Sequence, residues 1–281
     1  MPEGLVLPED LLFEERIPFT TGASERALCA LRRPDLPAGA PAVVYLHGGA
    51  WRWGDRFSRL LDRQAPLARA GFATFSASYT LTPEACFPAQ IHDAKAAIRY
   101  LRANAGALGV DPDRIGVFGS SAGGHLACLL GTSIGVAELE GERGSPGASS
   151  AVQAVCALFP PTCFETMDTF PEGVVPELEH RSAASPEGGL LGGPLEERAT
   201  NARLASPLTW IRPGAPPFLL LHGRGDPVVP FGQSEQLVEG LRAEGNAVDL
   251  IAADDLGHGG DGWARYLPEV IAFFTTHLGR A

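Results

Sequence analysis

The sequence predicts a mostly parallel, doubly wound α/β sheet of about eight strands with helices on both faces. Two observations carry that expectation and a third bounds it. Short, continuous apolar runs recur along the chain, as strands buried on both faces of a parallel sheet require. Helical patterns separate those runs, and alternating β and α elements fold as crossover units around one sheet. With 281 residues, 45% of them hydrophobic, the chain can bury a large core, and we expect one domain spanning residues 1–281.

Taken in order, the stretches 15–19 and 26–32 suit an antiparallel hairpin at one sheet edge. Ala42–Leu46, Phe72–Phe75, Ile115–Phe118, Ala154–Phe159, Phe218–Leu221 and Ala247–Ile251 read as the remaining strands. Between Pro88 and Asn104, Ile91, Ala94, Ala97, Ile98 and Leu101 follow helical spacing, with Pro88 suited to a first turn. Leu126, Leu129 and Leu130 mark a second helix, and Leu267, Val270, Ile271 and Phe274 a last one. One segment breaks the rhythm. Residues 160–207 are rich in Pro, Gly, Ser and Glu with no sustained period, too long for an ordinary connection, so a lid-like, weakly packed insertion is expected there.

Charge and cysteine content exclude several classes. Thirty-three acidic against 22 basic residues give a formal charge of −11, a field that repels polyanions, so no nucleic-acid partner is expected. The first ten residues show no basic stretch leading into an apolar one, and no apolar run reaches membrane-spanning length, so a cytoplasmic protein without a membrane partner is expected. Five scattered cysteines without a C-x-x-C pair argue against a disulfide framework or a zinc site.

Gly119-Ser-Ser-Ala-Gly123 fits G-x-S-x-G between a predicted strand and a predicted helix, the setting of a strained turn that lifts its central serine to a helix N-terminus. Ser121 is therefore the candidate nucleophile. A serine hydroxyl needs a base and an acid that orients the base, here in the chain order serine, acid, histidine. His258 lies in the glycine-rich loop after the last predicted strand; His277 sits in the terminal helix. Asp226 follows the preceding strand, whereas Asp254, Asp255 and Asp261 read as loop charges or caps, and His222 as structural. His47-Gly-Gly-Ala-Trp51 ends an early strand, and Gly49, Ala50 and Ala122 are the candidate donors to an oxyanion.

These motifs, with Tyr79, the run Phe87–Ala105, Asp111–Leu126 and Pro216–Pro230, resemble the α/β-hydrolase carboxylesterases of the bacterial feruloyl and acetyl-xylan esterase type, relatives of the hormone-sensitive-lipase group. The likeness runs from about Pro41 to His258. It implies the α/β-hydrolase fold and a serine hydrolase of short acyl, acetyl or aromatic acyl esters that carries no cofactor and takes a small-molecule ester as partner. The chain departs from the pattern at Thr80, where arginine commonly follows the tyrosine, and at Cys163, where aspartate is usual. Asp93 and His125 are expected to be structural. Trp51, Phe164 and Met167 are placed at the substrate pocket, with packing behind the oxyanion loop the alternative for Trp51 and Trp53; Phe170, Leu178, Leu190 and Leu191 are expected to face the acyl pocket as well. An aryl formamide, as in kynurenine formamidase, is the alternative substrate; a peptidase and a non-catalytic interaction protein fit less well.

Overall fold

The computed structural model describes residues 4–21 and 25–279. The first three residues of the N-terminal stretch and the tip of the expected hairpin therefore lie outside the described residues. The strands are β1 (Leu12–Pro18), β2 (Ala27–Arg32), β3 (Ala40–Leu46), β4 (Ala73–Ala77), β5 (Val110–Ser120), β6 (Ala154–Leu158), β7 (Phe218–Gly223) and β8 (Val248–Ala253). They form an eight-stranded sheet in the order β1-β2-β4-β3-β5-β6-β7-β8. β1 and β2, and β2 and β4, pair antiparallel; every pair from β4 to β8 is parallel. This is the architecture of the α/β-hydrolase fold.

Because successive side chains in a strand point to opposite faces, the register assembles two cores. Phe75, Val44, Val117, Val155, Phe218 and Val248 stand side by side across six strands and belong to one buried cluster. The helices α1 (Ala65–Arg69), α2 (Ala89–Ala103), α3 (Ala105–Leu108), α4 (Ala122–Thr132), α5 (Ala137–Glu140), α6 (Pro186–Leu191), α7 (Ala199–Ala205), α8 (Gly232–Ala243) and α9 (Leu267–Leu278) flank the sheet. α2, α4 and α8 cover that first face. Val43, Tyr45, Phe118, Cys156 and Leu221 form the opposite face beneath Val270, Phe274 and Leu278 of α9 and Leu67 of α1. α8 has no counterpart among the helices read from the sequence: its buried apolar residues are only Leu237, Val238 and Leu241, set among Gly, Gln, Ser and Glu. No helix among the described residues is long and apolar enough to cross a membrane.

The segment 160–207 packs more firmly than its composition suggests. Phe164, Met167, Leu190, Leu191, Leu195, Ala202 and Ala205 are buried in the same core as α2 and α4. Its helices span six and seven residues, too short for a hydrophobic period to show in sequence, and they are set by caps instead. Ser185 accepts a hydrogen bond from the Gly188 amide, Pro186 opens α6, and Gly192 closes it in the left-handed conformation. Backbone bonds from Phe87 N–H to the Leu190 carbonyl and from Leu195 N–H to the Arg181 carbonyl, both 2.8 Å, pin it further. At the cysteine of Pro161-Thr-Cys163, the Gln233 side-chain oxygen accepts from the amides of Thr162 and Cys163 at 2.8 Å each.

Leu190, fully buried, should act as a core residue. Leu190→Ala is expected to lower unfolding stability by about 2–5 kcal/mol in urea titrations, whereas Leu178→Ala, at a side chain 40% exposed, should change it by less than about 0.5 kcal/mol.

Candidate active site

The turn from β5 into α4 occupies one residue, Ser121, with φ 54° and ψ −123°. A non-glycine residue held there is strained, and such strain persists only where its surroundings over-determine it. They do so through two glycines. A Cβ on Gly119 would lie 2.1 Å from the Gly123 carbonyl oxygen, and one on Gly123 would lie 2.0 Å from that of Leu46. Strand, helix and the end of β3 can therefore approach only without side chains at both positions. The Ser121 amide donates to the Leu158 carbonyl at 2.9 Å, and the Ser121 carbonyl accepts from His125 N–H at 2.8 Å.

Two loops bring the other groups to this serine. His258 Nε2 lies 2.9 Å from Ser121 Oγ, and His258 Nδ1 lies 2.8 Å from Asp226 Oδ2. Asp226 is wholly buried, and its Oδ1 accepts from the amides of Val228 and Val229 at 2.9 Å. Burial opposes its ionisation, but hydrogen bonding from His222 and His258 outweighs it and holds the carboxyl well below the usual carboxylate range. An ionised Asp226 can only accept, so Nδ1 of His258 carries its proton and Nε2 is free to accept from the serine. His222 does more than fill space. Its Nε2 donates to the Val229 carbonyl at 3.0 Å and lies 3.4 Å from Asp226 Oδ2, while Ser234 Oγ lies 2.7 Å from its Nδ1. Asp254, Asp255 and Asp261 are instead exposed, engaged by Arg224, Arg265 and Arg59 respectively.

Beside the serine runs the loop after β3. Gly49, Ala50 and Trp51 all have positive φ, 119°, 52° and 57°. Among the described residues the Gly49 and Ala50 amides donate to no protein acceptor, and Ala122 opens α4, where first-turn amides lack helical partners. His47 holds the loop from below: its ring stacks on Tyr79 at 4.2 Å, and its Nδ1–H donates to the Gly48 carbonyl at 2.7 Å. Tyr79 Oη in turn donates to the His47 carbonyl at 2.8 Å. Asp93 takes no part in the site. Its Oδ2 accepts from the Thr80 amide at 2.9 Å, from the Thr80 hydroxyl at 2.5 Å and from Arg26 at 3.3 Å. Thr80 thus joins the carboxylate that Arg26, from the hairpin, and Arg143, at 3.2 Å from Oδ1, both pair with.

A cavity of about 800 Å³ opens above Ser121 and His258. Gly48, Gly49 and Ala50 form one wall with Trp53; Phe159, Val228, Gly259 and Gly260 form another; Leu178, Glu179, Ser182, Ala184, Ser185 and Pro186 form the roof. The pocket assignments made for Trp51, Phe164 and Met167 are corrected here. All three are at most 2% exposed and lie behind the wall. Trp51 Nε1–H donates to His125 Nδ1 at 3.2 Å, and Phe164 packs on both rings at 5.8 and 5.2 Å. Leu190 and Leu191 likewise face the core, and Phe170 stacks at 6.3 Å on His180 instead of lining the cavity. Of the apolar residues expected at the pocket, Leu178 lines it, and Trp53 stands 60% exposed at its wall. Phe159 went unnoticed in the sequence. It has φ 41°, a conformation that no residue type at that position announces, and its ring sits 4.6 Å from the His258 imidazole.

His125, four residues after the serine, ties three elements together. Its Nε2–H donates to the Ala205 carbonyl of α7 at 2.7 Å while Nδ1 accepts from Trp51. The ring is therefore neutral, and burial pushes its pKa down to about 4; burial does the same to His47, also to about 4. The unfolded chain takes up protons at both positions below an ordinary histidine value, which the folded chain refuses until about pH 4. Stability should therefore be lost as pH falls through that window, by roughly 3 kcal/mol per histidine at its acid end. Urea midpoints should drop between about pH 7 and pH 4.5, and less steeply in His125→Gln; a flat wild-type profile would contradict neutral buried imidazoles.

The BD-FAE family matches residues 33–241. Esterase LipQ of Mycobacterium tuberculosis is 34% identical over 236 residues, covering 82% of this chain and 53% of LipQ, so the chain spans about half the length of that relative. Among solved structures, a truncated carbohydrate esterase from gut microbiota superposes with TM-score 0.86 at 30% identity, covering 96% of this chain and 97% of that one. Esterase 2 of Thermogutta terrifontis, phosphonylated by sarin, gives TM-score 0.79 at 25% identity, covering 100% of this chain and 99% of that one; the same esterase is solved with propionate and with butyrate bound. With the family match spanning most of the sheet and the loop, elbow and acid described above, the chain belongs to the BD-FAE family, an esterase family of the α/β-hydrolase fold.

Proposed function

We propose that the protein is a serine hydrolase of carboxylic esters with short acyl, acetyl or aromatic acyl groups. The observation that carries this reading is the continuous hydrogen-bonded chain from Ser121 Oγ through His258 to Asp226, at 2.9 and 2.8 Å, on the floor of an open cavity. His258 Nε2 takes the proton of Ser121 Oγ as the oxygen attacks the ester carbonyl carbon. The carbonyl π pair moves onto oxygen, and the resulting oxyanion accepts from the amides of Gly49, Ala50 and Ala122. Collapse re-forms the carbonyl and breaks the C–O bond to the alcohol, which leaves with the proton from His258. Water then repeats the sequence on the acyl-enzyme: His258 takes its proton, hydroxide adds, and the carboxylic acid departs as Ser121 recovers its hydrogen.

Asp226 serves by keeping Nδ1 protonated and by stabilising the imidazolium each time it forms. The carboxylate is held in turn by two backbone amides and His222. The exposed Trp53 indole offers a flat apolar surface on which an aromatic acyl group or a sugar ring can stack. That the similar Thermogutta esterase binds propionate and butyrate, and that another relative is a carbohydrate esterase, supports short acyl esters as substrates.

A fluorophosphonate should add to Ser121 with loss of fluoride, and Ser121→Ala should show no adduct and about 10³- to 10⁶-fold lower kcat on 4-nitrophenyl acetate. Near-wild-type turnover by that variant would overturn the reading. Asp226→Asn, which reverses the imidazole tautomer while keeping the shape, should lower kcat by about 10⁴-fold with the fold intact by circular dichroism.

A further inference from the structure

Arg63 lines the reactive cavity yet takes no part in the chemistry above. It is 3% exposed, and its Nε is buried without a hydrogen-bond partner. Among the described residues no carboxylate pairs with its guanidinium. Asp62, the acid whose charge reaches Arg63, is already engaged by Arg59 at 3.0 Å. The Tyr45 hydroxyl, whose environment the Arg63 charge reaches, is occupied by Ser120 Oγ at 3.0 Å.

The backbone that presents Arg63 is itself unusual. Arg59 adopts φ 58° and starts a π-helical turn over Leu60–Gln64 that runs into α1, a geometry found mostly as single turns and often at functional sites. Burial works against the guanidinium's charge, yet arginine keeps its proton at neutral pH. A buried, unpaired cation is strongly unfavourable unless an anion completes it. An anion in the cavity can supply that partner, because Ser121, His258 and Arg63 line one open space. A guanidinium edge fits a carboxylate in the two-pronged manner that arginine favours, and of the three arginines in the lining Arg52 is engaged by the Ala184 and Ser185 carbonyls and Arg59 by Asp62 and Asp261, which leaves Arg63 to take it.

We infer that Arg63 recognises a carboxylate carried by the substrate, so that the enzyme prefers esters bearing an acid group on one arm. This rests on the esterase reading, and the test separates the two. Two isosteric pairs place the carboxylate on either arm: monoethyl adipate against ethyl 6-methylheptanoate for the acyl side, and 4-acetoxybutanoate against 4-methylpentyl acetate for the alcohol side, each followed by pH-stat titration. In wild type the anionic member of at least one pair should have about tenfold or higher kcat/KM than its neutral partner. Arg63→Met should collapse that ratio to about one or below, and Arg63→Lys should restore part of it. A wild-type ratio of one or less in both pairs, or a preference that survives in Arg63→Met, would overturn the inference. An equal loss on anionic and neutral esters in Arg63→Met would overturn it too, marking Arg63 as structural. Failure of wild type to hydrolyse any of the four esters would instead remove the esterase reading, and the carboxylate site with it.

Discussion

At the carboxyl end of β5 the chain reverses into α4 within a single residue, and the reversal is possible because two backbones touch where no Cβ intervenes. Gly123 lies against the carbonyl of Leu46, and Gly119 against that of Gly123, at distances a side chain would reduce to 2.0 and 2.1 Å. This crossing fixes the strained backbone of Ser121 and places it against the last residue of β3. The loop that follows β3 must then emerge beside the serine, which puts Gly49 and Ala50 in the same cavity wall. A larger residue at either glycine would separate Ser121 from the loop before it altered any side-chain chemistry.

Around that crossing, buried imidazoles act as struts. His47 fixes the Gly48 carbonyl, His125 links Trp51 to the Ala205 carbonyl, and His222 spans Val229 and Ser234 beneath Asp226. A histidine suits this task because a neutral ring offers one donor and one acceptor in opposite directions, so it can bridge two elements whose backbone groups would otherwise be unpaired. Each therefore resembles a catalytic group in composition while serving the geometry. His258 differs by position: its side chain is 17% exposed and reaches into the cavity from a glycine-bounded loop.

The segment between β6 and β7 combines two tasks that its composition conceals. Phe164, Met167, Leu190, Leu191 and Leu195 belong to the core with α2 and α4, while a polar stretch, Glu179 to Ser185, roofs the cavity and is held to the loop after β3 by Arg52 donating to the Ala184 carbonyl at 2.9 Å. The Glu177 amide, donating to the Pro227 carbonyl at 2.8 Å, ties the segment to the loop that carries Asp226 as well. The roof residues of the cavity are mostly small or polar, with Leu178 among them, while Trp53 and Phe159 add apolar lining elsewhere.

The sequence alone was sufficient for the sheet and for the residues that meet at its centre. Runs such as Val43–Leu46 and Phe218–Leu221 are apolar on both faces because both faces are covered, and that demand is local enough to read directly. The order of Ser121, Asp226 and His258, each next to a strand end, carried their convergence, since strand ends of a parallel sheet lie along one edge. The pocket was not legible in the same way. Whether Trp51 or Trp53 faces the cavity depends on three consecutive positive φ angles at residues 49–51, two of them in residues that give no sign of it. Phe164, Met167 and Leu190 turned inward because the sheet's covered face offered more apolar contact than the cavity, a competition decided by surfaces far apart in the chain. Arg63 looks in sequence like any helix arginine; its burial, its missing partner and its place in the lining of the cavity exist only in the folded chain.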